Sequence, residues 1–159
     1  PHSRLTGRCP RAFPSGDYDL STRTAVPSSL GGKAIQMVRF SKSITTAMLA
    51  VGIVTKLGEL PTGSRIVGGY LEVPDLDSNG SPTLTIDIGY RATTTTDDDV
   101  DGILDGATTG QAGGLNTTFL TAGVDRQFAY DSDITFTAAA GAATAAAGTV
   151  VLVLFVVLP

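Results

Sequence analysis

The sequence predicts an all-β fold: an antiparallel, jelly-roll-like β-sandwich of about seven or eight short strands, preceded by an extended N-terminal arm. Three observations carry this expectation. From Lys33 onward, apolar residues recur in strand-length stretches separated by Gly, Pro, Asn and Asp, which is the punctuation of an all-β chain. Within Thr83–Arg91 the alternation is regular, with Leu84, Ile86, Ile88 and Tyr90 on one face and Thr83, Thr85, Asp87 and Gly89 on the other. Finally, Gly (19), Thr (22) and Ala (18) make 59 of the 159 residues, and charged residues are only 16%. That is too little charge for a coiled coil, while Leu, Ile, Val and Phe suffice for one packed core.

The arm is set at residues 1–32 and the sandwich at 33–159. Pro1, Pro10, Pro14 and Pro27 remove backbone donors, and Gly7, Gly16, Gly31 and Gly32 add chain entropy, so the arm is expected to be extended. No apolar stretch of signal-peptide length follows its first arginines. In the sandwich, Lys33–Phe40 places Ile35 and Met37 on one face and Val38 and Phe40 on the other. Thr45–Lys56 is apolar enough for a strand buried on both faces, and Gly58, Pro61 and Gly63 then supply a turn. Arg65–Val73 directs Val67, Leu71 and Val73 to one side, and the polar loop that follows ends at Pro82. Leu115–Thr121 and Arg126–Tyr130 are weaker strands, Asp133–Ala138 alternates clearly, and Thr149–Leu158 closes the chain.

Residues 134–159 carry no charge, which raises the question of a membrane span. Its strongly apolar part, Val150–Leu158, has strand length, is rich in β-branched valine and lacks flanking Lys or Arg. A strand is therefore expected, with the Ala- and Gly-rich residues before it forming the tip of a final hairpin, and no membrane partner.

Charge divides the chain unevenly. Residues 1–44 hold seven basic residues against two acids, whereas 45–159 hold four against thirteen. A basic arm on an acidic body points to docking on something negative. The acidic body would repel nucleic-acid phosphates, so an acidic protein surface is the expected partner and nucleic acid is not.

One motif invites a chemical reading. Asp97, Asp99, Asp101 and Gly102 match the start of a calcium loop, and Asp105 falls at its ninth position. The twelfth position is Thr108, so the closing bidentate acid is missing, and the competing expectation is a short helical turn with acids at its positive end. No metal and no cofactor are therefore expected. His2 and Cys9 lie in the arm, away from any nucleophile constellation. Tyr18, Tyr70, Tyr90 and Tyr130 are dispersed and form no stacking platform. The chain is thus expected not to be an enzyme.

The stretch Leu57–Tyr90, LGELPTGSRIVGGYLEVPDLDSNGSPTLTIDIGY, resembles small β-sandwich virion proteins of tailed bacteriophages. The later DDDVDGILDGATTGQAGG and the ending DITFTAAAGAATAAAGTVVLVLFVV resemble that family's acidic turn and final hairpin. Together the matches run from Leu57 to Leu158. The resemblance implies a capsid cement or decoration protein, made in the bacterial cytoplasm, placed on the outer head shell and commonly trimeric. Its partner would be the major capsid protein. Arg4, Arg8, Arg11 and Arg23, with Phe13 and Tyr18 as apolar anchors, are the expected contacts, because the planar arginine fork pairs bidentately with carboxylates. The competing roles are another virion component, such as a head fibre, neck or tail protein, or a host- or glycan-binding module.

Overall fold

The computed structural model describes residues 34–92 and 97–159. Eight strands form: β1 (Ile35–Ile44), β2 (Val54–Leu60), β3 (Arg65–Val73), β4 (Thr85–Ala92), β5 (Asp99–Ala107), β6 (Gly114–Asn116), β7 (Ser132–Ala140) and β8 (Gly148–Val157). They build two four-stranded antiparallel sheets, ordered β1-β8-β3-β6 and β2-β7-β4-β5. Apart from β4–β5, each sequential connection crosses between the sheets. This is the strand order of an eight-stranded jelly roll. The expected sandwich is therefore present, in its jelly-roll form.

The core lies between the two inner faces. β8 contributes Val150, Leu152, Leu154 and Val156, β4 contributes Ile86, Ile88 and Tyr90, and β7 contributes Ile134, Phe136 and Ala138, all buried. Burial of one such large apolar side chain is worth about 1.5–3 kcal/mol. The ion pairs that Lys56 makes with Glu59 and Asp133 are exposed to solvent and screened by it, so packing dominates the stability. The alternation expected for Thr83–Arg91 is realised with all four inward residues buried.

Several expected elements differ. Thr45–Lys56 is not one strand: Thr46–Leu49 forms a 3-10 turn, and β2 begins only at Val54. Apolar content there reflects a loop that tucks Leu49 inward and leaves Val51 and Ile53 exposed. In β3, a bulge between Ile66 and Gly68 shifts the phase, so Ile66 and not Val67 joins Leu71 and Val73 in the core. Leu115–Thr121 contributes only the short β6, and Arg126–Tyr130 forms no strand, merely an isolated bridge from Gln127 to Arg65. The acidic Asp99–Asp105 stretch is β5 and not a helical turn.

The final hairpin is also corrected. β7 and β8 lie in different sheets, so residues 141–147 cross over the end of the sandwich instead of turning one strand back on the other. Along β8, residues facing the core alternate with residues on the outer sheet face, which is the reason its apolar content suits a sheet. No helix among the described residues is long and apolar enough to cross a membrane.

Candidate functional site

The surface is best understood from the two ends of the sandwich. At one end four connections meet: residues 45–53, 74–84, 108–113 and 141–147. Backbone bonds tie them together: Leu76 N–H donates to Gly110 O (2.8 Å), Ser78 N–H to Thr144 O (3.0 Å), Ala146 N–H to Leu76 O (2.9 Å) and Gly52 N–H to Ala138 O (3.1 Å). The sole charged residues in these four loops are Asp75 and Asp77.

Asp77 is fully buried and organises this end. Its Oδ2 accepts from the N–H groups of Thr83 (2.7 Å), Leu84 (3.1 Å) and Ala143 (2.9 Å), and its Oδ1 accepts from Thr144 N–H (2.7 Å). Burial alone would push its carboxyl up, but the four backbone donors overcome that and hold it well below the usual carboxylate range. One side chain thus pins the β3–β4 loop to the β7–β8 crossover. With the Asp77 carboxylate enclosed by backbone donors, Asp75 is the one charged residue that these loops expose, beside Val51, 65% exposed, and Ile53, 45% exposed.

Charge collects at the other end and along β5. Arg65 pairs with Asp125, and Arg126 pairs with Asp97 while lying 4.4 Å over the Tyr90 ring. Tyr90 in turn meets Phe128 edge-on at 5.3 Å. On the outer face of the second sheet, Asp87 accepts from Gly106 N–H (2.8 Å). Its carboxyl is pushed up by burial and then by the nearby charges of Asp105 and Asp101, which outweigh that bond. Asp99 is also pushed up, first by its hydrogen bond with Asp101 and then by burial.

These shifts set a pH dependence with two opposite parts. Asp87 and Asp99 contribute stability below the ordinary aspartate range, and it is lost as pH rises through their raised values. Asp77 contributes stability above its unfolded value, and it is lost as pH falls through its depressed value. Asp87→Asn keeps an acceptor for Gly106 and removes the repulsion. It is expected to raise Tm by a few degrees at pH 7, with the gain vanishing below about pH 4, as thermal melts across pH would show.

Of the candidate calcium residues, Asp99 and Asp101 hydrogen-bond each other, while Asp97 and Asp105 lie apart from them in different surroundings. Asp97 faces Arg126, Asp99 reaches the Tyr90 hydroxyl (3.4 Å), and Asp101 and Asp105 are exposed along β5. Among the described residues, no group of three His, Cys, Asp or Glu converges to hold a metal ion. Arg4, Arg8, Arg11, Phe13, Tyr18 and Arg23 lie outside the described residues. Sequence reading missed Asp77, which sat unremarked in a polar loop; its acceptance from Ala143 and Thr144 spans more than sixty residues, and no local pattern signals that.

A third feature is the outer face of the β1-β8-β3-β6 sheet. Ile35 and Met37 on β1 are exposed, and the register sets Met37 beside Phe155 and Ile35 beside Val157. Further across, an open groove of about 480 Å³ is lined by Glu72, Pro74, Leu115, Thr149 and Val151, among others. The described molecule therefore offers an apolar sheet face and an end with little charge.

A solved chain from the capsid of Ralstonia phage GP4 has this fold, with a TM-score of 0.68 and 32% identity, covering 79% of this chain and 85% of that one. The chain belongs to that family of bacteriophage capsid proteins. The capsid protein also shares its fold with a chain of the cyanophage Pam1 capsid asymmetric unit, at TM-score 0.68 and 24% identity, over 92% of this chain and all of that one. No family model matches it, and no curated protein matches it. As a capsid-family member it is a virion structural protein.

Proposed function

We propose that this capsid protein is a cement or decoration protein, which binds the outer surface of the head shell and stabilises it through contacts of its basic arm with the major capsid subunits. The observation that carries this reading is the partition of charge in a capsid-family chain. Seven basic residues stand against two acids in residues 1–44, on a body with thirteen acids against four bases. Arg4, Arg8, Arg11 and Arg23 supply bidentate partners for shell carboxylates, with Phe13 and Tyr18 as anchors. The nearly uncharged loop end supports the same reading, since charge is depleted where interfaces are fully buried. Assembly as a trimer would multiply weak arm contacts into avidity. The role is one of burying surface on the assembled lattice, which stabilises the shell by mass action and involves no catalysis or cofactor.

The test is to mix the purified protein with undecorated capsids and sediment them. Saturable binding at a fixed ratio to shell subunits is expected, weakened by salt and lost on deletion of residues 1–32. Undiminished binding by the truncated chain would sink the role of the arm. Failure to bind capsids, together with binding to a glycan array, would favour the host-recognition alternative.

A further inference from the structure

The outer face of the first sheet carries two patches that complement each other and that one copy cannot bring together. By register, Ile35, Met37 and Arg39 on β1, Phe155 on β8, Glu72 on β3 and Leu115 on β6 share this face. Ile35, Met37, Phe155 and Leu115 are four of the eight large apolar side chains left exposed among the described residues, so apolar surface is concentrated here and not scattered. The first patch flanks the C-terminal half of β8. It consists of Ile35, 63% exposed, and Met37, 53% exposed, with Arg39 two residues on, about 7 Å along the strand. The second is the open groove of about 480 Å³ at the N-terminal half of β8, where Pro74, Leu115, Thr149 and Val151 surround one charged group, Glu72. Among the described residues neither Arg39 nor Glu72 has an ion-pair partner.

We propose that copies of this chain join head to tail through this face, the patch of Ile35, Met37 and Arg39 on one copy seating in the groove of the next. Ile35 and Met37 then meet Leu115, Pro74 and Val151, and the Arg39 guanidinium meets the Glu72 carboxylate. Met37 suits the task, since an unbranched thioether adapts to an irregular groove. The chain cannot fill its own groove, because β8 lies between patch and groove and all these strands are fixed in one sheet. A foreign partner would account for one patch and leave the other bare, whereas a second copy accounts for both. The contact also covers β1, a long edge strand with no neighbour on its other side among the described residues. Because the two surfaces differ, the same rotation repeats from copy to copy and closes into a ring. Its size, three copies, rests on the trimer proposed above.

Analytical ultracentrifugation of the full chain over a concentration series tests it. Reversible association into a three-copy species, weakened by salt, is expected. Arg39→Glu and Glu72→Arg, both at exposed positions, are each expected to move the midpoint of association to about tenfold higher concentration, with unchanged far-UV circular dichroism. The double variant, which restores opposite charges, is expected to recover it. In a Cys9→Ser background, Met37→Cys and Leu115→Cys chains are expected to form disulfide-linked pairs when mixed and not when alone. A chain that stays single at every concentration would overturn the proposal, whether the face is covered by another segment of its own chain or by a shell protein. Linked pairs from Met37→Cys alone would overturn it too, since two patches would then meet face to face. Sedimentation with undecorated capsids separates this inference from the cement reading. Single copies that saturate capsids defeat the inference alone, and three-copy rings that fail to bind capsids defeat the cement role alone.

Discussion

Asp77→Ala is expected to be among the most destabilising single substitutions in the molecule, lowering Tm by on the order of 10 °C at pH 7. The carboxylate accepts four backbone N–H groups, from Thr83, Leu84, Ala143 and Thr144. Its removal takes the shared acceptor from four backbone donors grouped around one buried side chain, and a donor left unmet there is costly. Asp77→Asn is expected to fare little better. One of its two terminal atoms becomes an NH2 group, which faces backbone donors and turns an attraction into a clash of like hydrogens. Melting curves of both variants, read against Asp75→Asn at an exposed neighbour, check this. A loss of only a degree or two in both would show that the loops do not depend on the carboxylate. The unsubstituted protein should also lose stability steeply in strong acid, because protonating Asp77 abolishes part of the same acceptance. The loop end is the part whose release is expected first.

Gly89→Ala is the second large effect. β4 and β5 pair at Ile88↔Leu104 and again at Tyr90↔Asp99, so β5 inserts three more residues than β4 between these points. The excess folds β5 over Gly89, where an added Cβ would overlap the Asp99 carbonyl oxygen and the Val100 carbonyl group. These are backbone atoms, so no rotamer change relieves the overlap and β5 must separate from β4. A fall in Tm on the order of 10 °C, or insoluble expression, is expected, along with new proteolytic cleavage within Asp99–Ala107. Gly80→Ala provides the control, since nothing lies within 4 Å of its added Cβ and Tm should not change. If both glycine variants melt alike, the close approach of β5 is not a constraint.

How much was legible in the sequence depended on whether a signal was local. The alternation in Thr83–Arg91 needed nothing but neighbouring residues, and the structure follows it, with Leu84 just before β4 and Ile86, Ile88 and Tyr90 within it all buried. Val150–Leu158 was readable as a strand for the same reason, and the structure ends that strand at Val157. In contrast, TTAMLAVGIVTK is apolar without being a strand. Part of it buries Leu49, and part leaves Val51 and Ile53 in the open, which hydrophobicity alone does not distinguish. The helical turn expected at DDDVDG failed because pairing with β4 outweighs a local preference for a cap. The bulge after Ile66 likewise inverts the faces of β3 with no change in composition to announce it.

By itself, the sequence determined that this is an all-β chain, that its strands are short, that charge is divided between arm and body, and that its composition suits assembly. Each of these is a property of periodicity or of residue counts, which survive any arrangement in space. Tertiary structure alone decided that β7 and β8 part into different sheets, that β5 rides over Gly89, and that Asp77 joins two loops distant in the chain. Those outcomes depend on which strands become neighbours. That choice is made by burying the whole apolar set at once and by finding a partner for every enclosed backbone group, and no single segment contains the information for it.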